Sequence, residues 1–210
     1  MFFRHVCLIG SSNAMNLQNG DPTDPIMKQI TFVNNSIGGA EVNINSPKSI
    51  LNQLPKYDQD LHLIICVGSN GVENHKYNIL ILQYHRMILK ILRKGFKANQ
   101  IDVLLPMVRG KEMGYHWKQL FFVDILENRL KKYGIGTHNI YDSLPLEYTQ
   151  INKLFGVKDL RQKKYIHYSK AIRQYTHEII AYIIKTRCRL GILNIDEYPQ
   201  ENYYETTYSN

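Results

Sequence analysis

Four short blocks of small and polar residues contain the side chains that acyl-transfer chemistry uses. Residues 10–13 (GSSN), 38–39 (GG) and 68–71 (GSNG) each come after an apolar run, and His167 precedes the last long amphipathic stretch. A serine hydroxyl attacks a carbonyl carbon when a base, most often histidine, removes its proton. The negative charge that forms on the carbonyl oxygen needs preorganised N–H donors. These residue types are the ones that nucleophilic attack on a carbonyl compound would use.

The elements that must position these blocks are predicted by hydrophobic periodicity. Short apolar runs bounded by Gly or Pro are typical of strands covered on both faces. They occur at residues 5–9, 30–34, 62–67, 101–105 and, more weakly, 138–141. Helical periodicity occurs at residues 47–54, which Ser46 would cap, and at 75–94, 112–132 and 169–187. This alternation predicts an α/β fold with a parallel sheet and helices on both of its faces.

The blocks at 10–13, 34–40 and 68–71 follow the first three predicted strands. Because ligands of open parallel sheets bind beside the carboxyl ends of the strands, we expect these blocks to lie at one edge. Each block alone is also typical of a turn or a helix cap, and His167 alone is typical of a helix start. Their joint occurrence at strand ends favours a site.

Taken together, the four blocks resemble the SGNH (GDSL-like) hydrolase and acyl-esterase family, which is named for a serine, a glycine, an asparagine and a histidine in separated blocks. The resemblance covers about residues 5–185, with the blocks in the family's order. It implies a three-layer α/β/α, flavodoxin-like domain with a parallel sheet in the strand order 2-1-3-4-5. It also implies a serine ester hydrolase. No sequence motif indicates a metal or an organic cofactor.

The resemblance assigns a role to each matching residue. Ser12 matches the family nucleophile and His167 the base that activates it. The oxyanion hole would consist of the backbone N–H of Ser12, the backbone N–H of Gly39 and the side-chain amide of Asn70. Gly38 is the alternate for Gly39, because the register of this block is open by one residue. A glycine suits this role because the backbone must approach the substrate closely.

One position departs from the family pattern. The family has an aspartate three residues before the histidine, and here that position is Lys164. A lysine cannot accept the histidine N–H, and loss of the acid costs about 10⁴ in turnover in another triad enzyme. Asp159 is nearby but at a different spacing. Two alternatives follow: a Ser–His dyad whose ring is oriented by a backbone carbonyl, or a catalytically impaired binding module on the same fold.

The positive charge of the chain is concentrated near His167. Residues 153–189 hold ten basic and two acidic side chains, an excess equal to the whole net charge of +8. One interpretation is a positive rim that attracts an anionic substrate such as an acidic saccharide; the other is a solvated helix face. A basic nucleic-acid-binding protein is a further alternative, but no nucleic-acid-binding motif accompanies the charge.

Length and composition exclude several other classes. The 210 residues suit one domain, predicted at 1–193, followed by a Tyr- and Glu-rich tail at 194–210. The three cysteines (Cys7, Cys66 and Cys188) have neither zinc-motif nor paired spacing, and no histidine spacing indicates a metal. No apolar stretch reaches the length of a membrane helix or a signal peptide, so a cytoplasmic protein without membrane contact is expected.

The predicted function is removal of a small O-acyl group, such as acetyl, from a carbohydrate or another anionic substrate through an acyl-Ser12 intermediate. An O-acyltransferase that delivers the acyl group to a saccharide hydroxyl would use the same residues. The cysteines add a structural expectation: Cys7 and Cys66 should lie buried on neighbouring strands.

Overall fold

The computed structural model describes residues 3–15, 17, 27–67, 77–106, 116–140, 155–159, 164–168 and 170–188. Its main sheet has five parallel strands in the order β2-β1-β3-β4-β5. The strands are β1 His5–Gly10, β2 Thr31–Asn34, β3 Leu61–Cys66, β4 Ile101–Leu104 and β5 Gly136–His138. The predicted parallel sheet and its strand order are confirmed.

Three α-helices, a hairpin and three short 3-10 helices complete the described structure. The α-helices are α1 Tyr77–Arg93, α2 His116–Lys131 and α3 Lys170–Cys188. The 3-10 helices are Met27–Gln29, Ile50–Gln53 and Ala98–Gln100. An antiparallel pair, β6 Phe155–Asp159 and β7 Lys164–Tyr168, forms a separate two-stranded sheet. No helix among the described residues is long and apolar enough to cross a membrane.

The sheet has an apolar core on each face, because alternate residues of its buried strands point in opposite directions. On one face, α1 and α2 pack on β1, β3 and β4 through side chains such as Ile65, Val103 and Tyr84. On the other face, α3 packs on the alternate strand residues through Ile180, Ile183 and Ile184. This arrangement is the predicted three-layer sandwich.

The predicted helix at 47–54 is wrong in its start and type. A 3-10 helix begins at Ile50, and Ser49 rather than Ser46 caps it. The backbone before it is tied to a neighbouring segment, since Glu41 N–H donates to Lys48 O (2.9 Å) and Ile50 N–H donates to Glu41 O (2.9 Å). These bonds hold residues 48–50 alongside Glu41, so a helix cannot begin at residue 47.

The last predicted strand also differs from the structure. β5 covers Gly136–His138 rather than residues 138–141, and Gly136 pairs with Asp102 of β4. A side chain at Gly136 would collide with the Asp102 carboxylate, so the glycine permits this pairing. The hairpin of β6 and β7 was not predicted, and it places the backbone of His167 in a strand rather than at a helix start.

Candidate active site

Ser12 lies on the turn that leaves β1 at the carboxyl end of the sheet. The turn is fixed by two backbone hydrogen bonds, from Ser11 N–H to Cys66 O (3.0 Å) and from Ala14 N–H to Ser11 O (2.9 Å). Ser11 is only 1% exposed, whereas Ser12 is partly exposed. Of the two adjacent serines, Ser12 is therefore the one that a substrate can reach.

Gly10 makes the tight exit of this turn possible. A Cβ at this position would collide with the carbonyl oxygen of Cys66 on β3 and would lie 2.5 Å from the Cβ of Ala14. The Gly10 N–H donates to Oε1 of buried Gln53 (2.9 Å). The missing side chain therefore allows close packing of β1, β3 and the Ser12 turn.

The turn that carries Gly39 packs directly against the Ser12 turn. The Ile37 N–H donates to Gly10 O (3.1 Å), and the Asn34 side-chain amide donates to Ala14 O (2.8 Å). Gly39 has φ +78°, a left-handed conformation that favours glycine. Among the described residues, no acceptor is found for the backbone N–H of Ser12 or of Gly39. Both N–H groups thus remain available at adjacent turns.

The third block begins where β3 ends. The buried hydroxyl of Tyr84 on α1 donates to the carbonyl oxygen of Val67, the residue that follows β3. This bond fixes the backbone at the carboxyl end of β3. The predicted oxyanion donor Asn70 lies outside the described residues.

The structure describes the backbone of His167 and of Lys164, both on β7. The hairpin register pairs His167 with Val157 and Lys164 with Asp159. Asp159 is therefore three rows from His167, about 10 Å along the strand at about 3.4 Å per residue. The hairpin does not bring Asp159 beside His167, and it gives Lys164 an acidic residue as its cross-strand neighbour.

Exposed side chains of two chemical kinds border the two turns. Met15 is 51% exposed and Ile37 57% exposed, and the Met15 sulfur lies 3.5 Å from the position that a Cβ on Gly38 would occupy. The side chain of Lys48, which precedes the 3-10 helix at Ile50–Gln53, reaches the same turn. Its Nζ lies 3.7 Å from the position that a Cβ on Gly39 would occupy. The surroundings of the Gly38–Gly39 turn thus combine apolar surface with one cation.

A second polar cluster, which the sequence reasoning missed, lies at the other end of the sheet. The fully buried carboxylate of Asp102 accepts hydrogen bonds from Nε2 of His62 (2.7 Å) and Nε2 of His138 (2.7 Å). It also accepts two from Arg187 of α3, through Nε (2.9 Å) and Nη2 (3.2 Å). We call Asp102 and these three donors the Asp102 cluster.

The carboxylate of the Asp102 cluster is ionised, and both of its oxygens accept hydrogen bonds. Burial by itself raises the pKa of Asp102, but the hydrogen bonds from His138, His62 and Arg187 together hold it below the ordinary value of 3.8. Burial lowers the pKa of His62 below its ordinary 6.5, against the opposing effect of Asp102. His62 is therefore neutral at pH 7 and donates through Nε2, which leaves its buried Nδ1 without a partner among the described residues.

The sequence did carry a signal for this cluster. His62 and Asp102 each interrupt an apolar strand run, and an ionisable residue at such a position needs a partner. The cluster uses Arg187, one of the ten basic residues near His167, so this guanidinium is paired within the fold. Among the described residues, no group of His, Cys, Asp and Glu is arranged to hold a metal ion.

Solved structures that are similar to this chain include lipases and esterases. A GDSL-like lipase from Bacteroides thetaiotaomicron is 12% identical, with a TM-score of 0.59 over 87% of this chain and 88% of that chain. A lipase/acylhydrolase from Enterococcus faecalis is 11% identical, with a TM-score of 0.60 over 91% and 100% of the two chains. The chain has the fold of the GDSL-like acylhydrolases. An acetyl xylan esterase shares this SGNH fold at 15% identity, with a TM-score of 0.57 over 86% and 99%.

The likeness lies in the fold and not in overall sequence. No protein-family model matches the chain, and no curated protein matches it in sequence. The resemblance predicted from the four blocks is thus confirmed as a shared fold. Of the predicted site, the structure brings together the turns of Ser12 and Gly39, and it describes the backbone of His167 within β7. The roles of these residues remain predictions.

Proposed function

We propose that this protein is a serine ester hydrolase that removes a small O-acyl group through an acyl-Ser12 intermediate. The observation that carries the proposal is the partly exposed Ser12 at the carboxyl end of β1, beside the left-handed Gly39 turn, in a fold shared with GDSL-like lipases and esterases. Ligands of such sheets bind at this edge.

In the proposed reaction, the Ser12 hydroxyl attacks the acyl carbonyl while His167 takes its proton. The N–H groups of Ser12 and Gly39 and the amide of Asn70 donate to the oxyanion. The ester bond then breaks, and the alcohol leaves with the proton from His167. Water, deprotonated by the same histidine, attacks the acyl-enzyme and releases the acid together with free Ser12.

The proposed substrate is a short acyl ester of a carbohydrate. The exposed side chains of Met15 and Ile37 beside the Ser12 turn favour an apolar acyl group. An acetyl xylan esterase with this fold acts on an acetylated carbohydrate, as its name says, and this supports acetyl as the group and a saccharide as the carrier. Transfer of the acyl group to a saccharide hydroxyl is the related alternative, since only the acceptor differs.

A second candidate, a binding module without catalysis, is favoured by one observation. Lys164 stands where the family's aspartate is expected, and the register pairs Lys164 with Asp159 rather than bringing Asp159 beside His167. A working enzyme must then hold the His167 ring by another acceptor, such as a backbone carbonyl. The two candidates differ in a single measurable property, which is turnover.

The test compares two adjacent serines. We expect Ser12→Ala to abolish hydrolysis of 4-nitrophenyl acetate by the purified protein, while Ser11→Ala keeps most of it, because the Ser11 side chain is buried. Circular dichroism should show that both variants fold. Equal turnover of Ser12→Ala and the unmodified protein would eliminate Ser12 as the nucleophile. Absence of turnover in the unmodified protein on a panel of acyl esters would favour the binding module.

A further inference from the structure

The side chain of Lys48 lies against the glycine turn of the candidate oxyanion hole. Its Nζ and Cδ atoms are 3.7 and 3.8 Å from the position that a Cβ on Gly39 would occupy. These are ordinary van der Waals distances, so the lysine stem lies along the turn and the ammonium group is at the edge of the candidate site. This places one positive charge close to the point where a substrate carbonyl would be held.

The backbone that carries Lys48 is fixed, although its side chain is exposed. The Lys48 N–H donates to Oγ of Ser46 (3.1 Å), and its carbonyl accepts from Glu41 N–H (2.9 Å). Glu41 follows the Gly38–Gly39 turn directly after buried Ala40. The lysine is thus anchored to the same segment that forms the turn, so its reach toward Gly39 is set by the fold.

The charge of Lys48 has no partner within the described part of the chain. Neither an ion pair nor a hydrogen bond to Nζ is found there, and the nearby Glu41 forms no ion pair with it. A lysine ammonium is a strongly hydrated point charge that binds carboxylates, sulfates and phosphates when they reach it. An unpaired ammonium beside a substrate-binding turn therefore favours an anionic ligand.

We propose that Lys48 is a specificity-determining residue that selects acyl esters carrying an anionic group. This inference rests on the proposed esterase function and names a substrate class for the same site. Lys48 would bind the carboxylate, sulfate or phosphate of the substrate while its ester lies between Ser12 and Gly39. It differs from the basic excess at 153–189, because Lys48 belongs to another segment and touches the glycine turn itself.

The test measures a charge preference. Two pairs of esters are compared. Mono-4-nitrophenyl succinate carries a negative charge on its acyl side, and its methyl ester is neutral. In the second pair, 4-acetoxybenzoate carries the charge on its alcohol side, and its methyl ester is neutral. We expect Lys48→Met to lower the ratio of kcat/KM for charged over neutral ester about fivefold or more in one pair, mainly through KM. One unit charge near 4 Å in water has an effect of about that size. Lys48→Arg should keep the preference, and added salt should weaken it.

Lys56→Met is the matched control, because Lys56 is an exposed lysine on the segment leading away to β3. The Lys56→Met variant should show the same ratio of kcat/KM for charged over neutral ester as the unmodified protein. If Lys48→Met lowers kcat for charged and neutral esters equally, the lysine acts on the oxyanion and the specificity assignment is wrong. An unchanged ratio in both ester pairs would also overturn it.

Binding separates this inference from the proposed function. In the Ser12→Ala background, NMR titration with the same esters should give tighter binding of a charged ester than of its neutral partner. Adding Lys48→Met should remove the difference. If the unmodified protein hydrolyses no ester but this binding difference is found, the esterase proposal fails and the Lys48 assignment stands. If no binding difference is found, the Lys48 assignment fails whatever the activity.

Discussion

Replacing Asp102 by asparagine should destabilise the fold strongly, because the carboxylate is buried and accepts four hydrogen bonds. The amide keeps the size but offers one oxygen, so in either orientation its NH₂ group faces one donor of Arg187 and one histidine nitrogen. His62 is fully buried, and its Nδ1 has no partner among the described residues that a change of tautomer could use. Removing one member of a buried charge pair typically costs about 3–5 kcal/mol.

The expected loss lies at the lower end of that range, since two of the donors can regain water. The side chains of Arg187 and His138 are 38% and 20% exposed. We expect Asp102→Asn to lower the free energy of unfolding by about 3 kcal/mol. For a chain of this length, such a loss lowers Tm by about 6–12 °C.

Urea unfolding at pH 7.5, followed by circular dichroism, measures this loss. Asp124→Asn is the matched control, because Asp124 is exposed on α2 and, within the described ranges, accepts a single hydrogen bond, from Asn128 (3.3 Å). A surface change of this kind should stay within about 0.5 kcal/mol. A loss below about 1 kcal/mol in Asp102→Asn would refute the reasoning that the cluster stabilises the fold.

Three further predictions concern pH, packing and thiols. The pKa of His62 is lower in the folded protein than in the unfolded chain, so the unfolded chain binds a proton at a higher pH. The free energy of unfolding should therefore fall as pH drops below about 6.5. The urea midpoint of the unmodified protein should fall between pH 7.5 and 5.5, and that of His62→Phe should fall less. An equal dependence of the midpoint on pH in both proteins would contradict this prediction. Gly10→Ala should cost about 1–3 kcal/mol through overpacking, whereas Gly38→Ala, with only the Met15 sulfur at 3.5 Å, should cost less. Burial raises the pKa of Cys7 to about 11 and those of Cys66 and Cys188 to about 12, so Ellman's reagent should label all three slowly until urea is added.

The sheet could be predicted from the sequence because its strands are buried on both faces. Such strands are short apolar runs with clear ends, and four of the five predicted runs match β1 to β4 within one residue at either end. Cys7 and Cys66 confirm the pairing, since both are buried on neighbouring strands. The strand order followed from the resemblance and not from the periodicity.

Other elements are decided by contacts between distant residues, which local patterns do not contain. Ser49 rather than Ser46 caps the 3-10 helix because Glu41 binds the backbone of Lys48 and Ile50. β5 begins at Gly136 because only a glycine leaves room for Asp102. The hydrogen bonds between Asp102 and Arg187 join residues that are 85 positions apart in the sequence. The sequence alone shows only that a charged residue interrupts the apolar run of β4.

The site was predictable in part. The Ser12 and Gly39 turns were located from residue types and strand ends, and the structure packs them together through Ile37 and Asn34. The accessibility of Ser12 relative to Ser11 depends on how the turn packs on β3, and the nearness of Lys48 to Gly39 depends on a bridge between two loops. These features become visible only in three dimensions.

The most direct test of the central claim is labelling of the native protein with a serine-directed fluorophosphonate, followed by peptide mapping. An activated serine nucleophile reacts with this probe, whereas an ordinary serine does not. We predict a single covalent adduct on Ser12, with none on the buried neighbour Ser11 and none after His167→Ala. Folded protein that remains unlabelled, or an adduct on another serine with Ser12 unmodified, would contradict the proposed mechanism.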